Sequence, residues 1–161
     1  MKYLILFSFI LSISLSFSQI SFDTGNGELD ANLNAIDDRG KGDFTLFKRE
    51  LSVDFNIPER KLERMRTSIG LSPGEIYLTL EIARNSRSSV DEVLDIYKNN
   101  KSKGWGYIAK QAGIKPGSAA FHELKNNSKG RKNKGGKPKH VKVKAAKKDN
   151  GRGNGKGKKG S

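Results

Sequence analysis

The chain contains no cysteine. No disulfide can staple the fold, no thiolate zinc site can hold it, and a lipid-anchored N-terminus is not expected, so any folded part must hold by packing alone. Histidine is almost missing as well. His122 stands beside Glu123 on a short expected helix and His140 lies in a lysine-rich stretch, so neither has an evident orienting partner for acid–base work. After residue 19 no apolar run is long enough to span a bilayer, so no transmembrane segment is expected in the mature chain. Acids are scarce at one end: residues 126–161 hold 14 Lys or Arg against Asp149 alone, a net charge of +13 out of +14 for the whole sequence. The high isoelectric point therefore describes a tail and not a folded surface.

What is present begins with a leader. Lys2 supplies a positive start, Tyr3 to Phe17 is apolar apart from serines, and Ser16-Phe17-Ser18 places small residues where a signal peptidase reads. A membrane anchor would need about 20 apolar residues, and this stretch is shorter. Residues 1–18 are thus expected as a signal peptide, with cleavage near Ser18 or Gln19 and an address in the periplasm or outside the cell.

Residues 19–42 are acidic and rich in Gly, Asn and Asp. Leu29, Leu33 and Ile36 fit a helical face while the local alternation also fits a short strand, so the segment reads as a weakly structured linker. Asp37-Asp38 among glycines invites a calcium reading, but the acid spacing of an EF-hand loop is missing.

Helical punctuation is clear from residue 43 onward. Asp43 is a candidate N-cap for a helix with Phe44, Phe47, Leu51 and Phe55 on one face, stopped by Asn56-Ile57-Pro58. Leu62, Met65 and Ile69 form a second stripe ending at Gly70, and the interleaved Arg60, Lys61, Arg64 and Arg66 read as a solvated face shared with Glu59 and Glu63. Ser72-Pro73-Gly74-Glu75 is a capping box, and the helix it opens is apolar on more than one side, which predicts the centre of the domain. Ser89-Val90-Asp91-Glu92 is a second box. Because capping explains Glu75 and Glu92, neither is needed as a general acid. A helix from Trp105 to a cap at Gly113 and a last one presenting Phe121 and Leu124 complete an all-α bundle of about six short helices over residues 43–125.

Several motifs carry a sharper reading beside a plain one. Ile108-Ala109-Lys110-Gln111-Ala112-Gly113-Ile114 is similar to the first helix and turn of a helix-turn-helix. The connection through Pro116 is long, however, and the helix from Ala119 to Lys125 offers only His122, Glu123 and Lys125 as polar readers, without the Arg, Asn or Gln that base reading favours. Trp105 between two glycines could present a ligand platform, but a core role with the glycines relieving crowding against neighbouring helices is the better expectation. Taken together, Gly104-Trp105-Gly106-Tyr107-Ile108-Ala109-Lys110 and Gly113-Ile114-Lys115-Pro116-Gly117-Ser118 with Phe121-His122-Glu123-Leu124-Lys125 resemble a group of uncharacterised exported bacterial helical proteins. Ser72-Pro73-Gly74-Glu75-Ile76-Tyr77 is similar to an upstream element of that group. The resemblance implies export and a helical fold but no activity.

The basic end supports the one interaction that follows from composition. Residues 126–161 are too polar to offset their ordering entropy and are expected to be a disordered Lys/Gly-rich tail. Its cations are Lys129, Arg131, Lys132, Lys134, Lys137, Lys139, Lys142, Lys144, Lys147, Lys148, Arg152, Lys156, Lys158 and Lys159. Such a polycation binds polyanions by counterion release, and ten engaged phosphates would give a salt slope of roughly −7 to −9. The expected partners are an anionic envelope polymer, lipid headgroups or extracellular nucleic acid. A protein partner for residues 43–125 with an incidental tail is the alternative. An enzyme built around His122 or Glu123 is a weaker reading, and no cofactor or metal is expected.

Overall fold

The computed structural model describes residues 21–134. The expected leader, His140 and ten of the 14 tail cations lie outside the described residues. Those described are all-helical: α1 (Gly27–Gly42), α2 (Phe44–Phe55), α3 (Glu59–Thr67), α4 (Pro73–Ser86), α5 (Val90–Asn100), α6 (Trp105–Gln111) and α7 (Ala119–Asn133), with a 3-10 turn at Lys101–Lys103. No helix among them is long and apolar enough to cross a membrane.

α4 is the axis of the bundle. Ten of its 14 residues are buried, more than one face can supply, and α1, α2, α3, α5 and α7 all pack against it. Its start is set by the expected box, Ser72 Oγ accepting from Glu75 N–H while Glu75 accepts from Ser72 N–H at 2.8 Å. The same box forms at Ser89 and Glu92 for α5, and the Asp43 carboxylate caps α2 through Leu46 N–H at 2.9 Å.

Two expectations are corrected. Residues 27–42 are not a weak linker but a helix of the central packing, with Leu29, Leu33 and Ile36 buried against α4 and α7. Its Asn, Asp and Gly content lowers intrinsic helicity, but Asn26 caps it, Glu28 and Asp30 sit in the first turn, and Arg39 and Lys41 sit in the last, all favourable to the helix dipole. Asp37, weighed as a calcium ligand, is buried and accepts from Gly74 N–H at 2.8 Å, so it serves as a second cap on α4. Its other oxygen meets Lys41 Nζ at 2.7 Å, and that hydrogen bond raises the lysine's pKa.

The second correction concerns the far end. The last helix does not stop at Lys125, and residues 126–133 belong to the folded body because Leu124, Ser128 and Arg131 prolong one buried stripe at helical spacing. α7 packs against α1 and α4, and Ser128 Oγ accepts from Asn32 Nδ2 at 3.4 Å.

The chain before α1 is also part of the body. Phe22 is buried, its carbonyl accepts from Trp105 N–H, and the Asp23 carbonyl accepts from Gly106 N–H, both at 2.9 Å. Trp105 is a core residue, stacked on Tyr97 with ring centroids 5.1 Å apart and donating from Nε1 to Glu75 at 3.2 Å. The glycine beside it makes room for this N-terminal segment and not for a neighbouring helix, since a Cβ on Gly106 would stand 2.7 Å from the Thr24 carbonyl oxygen. Gly74 is tight in the same way, its would-be Cβ lying 2.7 Å from the Phe22 ring.

Candidate functional site

Three helices each present a row of polar residues at helical spacing to one place. α2 brings Glu50 and Asp54, α4 brings Tyr77, Glu81 and Arg84, and α7 brings Asn127 and Arg131, with Lys134 at its C-cap. All of them but Glu50 line a cleft of about 370 Å³ whose wall also includes Phe55.

Glu81 is 1% exposed, unusual for a carboxylate, and its charge is met from three sides. Arg84 pairs with it one turn away, Asn85 donates at 3.1 Å, and Asn127 of α7 donates at 3.1 Å. With three donors in place it works as a structural acceptor joining α4 to α7. Tyr77, one turn earlier, is 2% exposed, and its hydroxyl is buried beside the Glu81 carboxylate without an aligned hydrogen bond. Burial pushes the phenol's pKa far above its ordinary value, and the nearby Glu81 charge adds to the effect.

Arg131 is the hinge between body and basic end. Only 4% exposed, it pairs with Asp54 and lies 3.0 Å from Glu50, while its guanidinium covers the Phe47 ring at 5.3 Å. Burial lowers its pKa, and the like charge of Arg39 acts in the same direction. The contact to Glu50 is an ion pair without hydrogen-bond alignment, so Nη2, like Nε, is a buried donor lacking an aligned acceptor. Lys134 closes the edge at 3.4 Å from Asp54.

Four of the expected polyanion ligands fall among the described residues, and they differ. Lys129 and Lys132 are exposed on α7, as a binding cation must be. Arg131 does not belong with them, because its charge is committed to two carboxylates inside the body. Lys134 is exposed but shares Asp54. The other ten lie outside the described residues.

Elsewhere the readings separate cleanly. His122 is exposed on α7 and meets Phe121 edge-on at 6.2 Å. On α3, Lys61 pairs with Asp91 at 2.8 Å and Arg66 covers the Phe44 ring at 4.1 Å, leaving Arg60 and Arg64 as the exposed cations of that face. The helix expected to read DNA bases is more than twice as long as expected and is held against α1 and α4. Sequence reasoning missed the cleft, although two signals pointed to it: a glutamate inside the most apolar helix, and an arginine seven residues beyond Leu124 on the same stripe. Comparison of this chain with protein families, with curated proteins and with solved structures gives no match.

Proposed function

We propose that this is an exported, non-enzymatic protein that binds polyanions through its basic C-terminal segment, using the helical body as a rigid base. The observation that carries the reading is the partition of charge. Residues 21–134 hold 20 basic and 16 acidic residues, whereas residues 135–161 hold ten basic and one acidic. Within the body, nine of the cations sit in ion pairs, from Arg39 with Glu50 to Lys134 with Asp54. Beyond Lys134 no comparable supply of acids exists in the sequence. Exposed Lys129 and Lys132 extend the cationic run back onto α7.

Export rests on the leader-like residues 1–18, and the position of Phe22 supports it, since cleavage near Ser18 or Gln19 leaves every residue of the folded body in place. The segment resemblance to exported helical proteins points the same way. The polyanions available there are phosphorylated lipid headgroups, acidic glycans and released nucleic acid. Titrating the mature chain and a chain lacking residues 135–161 against lipopolysaccharide and DNA at rising salt tests the reading. Binding should be strongly salt-sensitive and lost on truncation, and equal binding by both chains overturns it. Fractionation with N-terminal sequencing should recover a chain starting near Gln19 or Ile20.

A protein-interaction role for the body is favoured by a different feature, an apolar groove of about 600 Å³ beside the cleft, with Phe55, Ile57, Leu80 and Val90 in its wall. Specific capture of one envelope protein by residues 21–134, with the groove residues protected on binding, would establish it.

A further inference from the structure

Chain connectivity brings one part of the sequence to the mouth of the apolar groove beside the α2–α4–α7 cleft. Groove and cleft share Asp54, Phe55 and Arg84 in their walls. Lys134, the C-cap of α7, stands at that shared edge with Nζ 3.4 Å from Asp54, so the chain leaves the body at the groove's rim. The groove holds about 600 Å³ between the end of α2 and the start of α5, across α4. Ile57, Leu80 and Ala83 on its apolar side are buried, while Phe55 and Val90 are only half-buried and still present apolar surface to solvent.

The sequence after Lys134 carries a matching feature. Apart from Pro138, the apolar side chains of residues 135–161 are Val141, Val143, Ala145 and Ala146, gathered in one short run with Lys142 and Lys144 between them. In an extended run alternate side chains face opposite sides, which puts Val141, Val143 and Ala145 on one side and Lys142, Lys144 and Ala146 on the other. Residues 135–140 can span up to about 20 Å. That is about twice the width of a helix, so Val141 can reach the wall formed by α4 and α5. Charge does not decide the contact: the rim carboxylates Asp54 and Asp91 already meet Lys134 and Lys61, so added lysines gain little there and the valines carry it. Little affinity is needed, because a short linker holds such a segment at an effective concentration on the order of millimolar.

We propose that residues 141–145 dock in this groove of their own chain, Val141 and Val143 packing on Phe55, Leu80 and Val90, and close it to other proteins until displaced. The docked segment is an occupant other than the envelope protein considered above. It does not depend on polyanion binding, since Lys142 and Lys144 face outward.

The chain has no cysteine, so Ala146→Cys gives the full chain a single attachment point for a nitroxide. With the label in place, the amide NMR signals of Ile57, Leu80 and Val90 should lose more than half their intensity. The loss should persist at high salt, which screens ion pairs and not apolar contacts. Adding Val141→Ser and Val143→Ser leaves the net charge unchanged and should restore the groove signals, with the helical signal unmoved. A label on Ser161→Cys should spare the groove. Undiminished groove signals in the labelled chain, equal broadening in the valine-substituted chain, or broadening lost at high salt overturns the proposal. So does broadening that appears only between a labelled chain and an unlabelled one, which would make a second copy the occupant. All ten cations beyond Lys134 remain in the valine-substituted chain, so a failure here leaves the salt titration of polyanion binding intact.

Discussion

At the scale of single residues, Tyr77 is the most informative. Its ring belongs to the core, meeting Phe55 edge-on at 6.2 Å, and its hydroxyl is buried beside Glu81. Because burial, helped by Glu81, raises the phenol's pKa in the folded chain, the neutral ring adds stability below the unfolded value of 10.0. That stability is lost as pH climbs above 10.0, where the unfolded chain releases the proton and the folded chain holds it. Urea unfolding midpoints should therefore fall above about pH 10, with this one residue contributing up to about 1.4 kcal/mol per pH unit. Tyr77→Phe should make the alkaline decline shallower without changing stability near neutrality. An identical decline in both proteins would show that Tyr77 ionises alike folded and unfolded.

The cleft was hard to read in sequence for a reason visible in its members. Tyr77 and Glu81 sit within a helix whose apolar content dominates its pattern, and Arg131 sits among lysines that dominate composition. Spacing separates Arg131 from its neighbours, since it alone continues the stripe of Leu124 and Ser128, while Lys129 and Lys132 point to solvent. A count of charges has no access to that distinction.

At the scale of elements, the legible helices are those with side-chain caps and dense apolar stripes. α2, α4 and α5 start at the expected residues, and α4 lies at the centre as its apolar breadth implies. α1 was obscured because its stability comes from tertiary contacts: three apolar residues facing α4 and α7, and Asp37 capping a helix 37 residues away. Propensity is a weak prior when packing of this kind is available. The N-terminal segment at Phe22 was obscured for the related reason that its partners, Gly74, Trp105 and Gly106, are distant in sequence.

Two glycine substitutions, one against that segment and one inside α7, should shift stability with opposite signs. Gly106→Ala places a methyl 2.7 Å from the Thr24 carbonyl oxygen, so backbone must move, and a loss of about 1 to 3 kcal/mol is expected. Gly130→Ala lies inside α7, where a Cβ meets nothing, and should gain about 0.5 to 1 kcal/mol from helix propensity alone. Urea denaturation of the two variants measures both. If Gly106→Ala proved as stable as the parent chain, the N-terminal segment would not be docked on α6 in solution.

At the scale of the whole molecule, the chain divides into a body whose charges are largely matched and a basic segment whose charges are not. Arg131 marks the join, because its pairs with Asp54 and Glu50 hold the end of α7 to α2 just before that segment begins. If the ten cations beyond Lys134 carry polyanion binding, then affinity for duplex DNA should fall with salt at a log–log slope of about −9, and for single strands at about −7. Body and segment should also be separable by denaturation. In urea sufficient to unfold the helices, DNA binding at fixed salt should persist within a few-fold, since counterion release needs charge density and not a folded surface. Polyanion binding that disappeared together with the helical signal would place the anion site on the body, with Lys129, Lys132 and the exposed arginines of α3 as the residues to examine next.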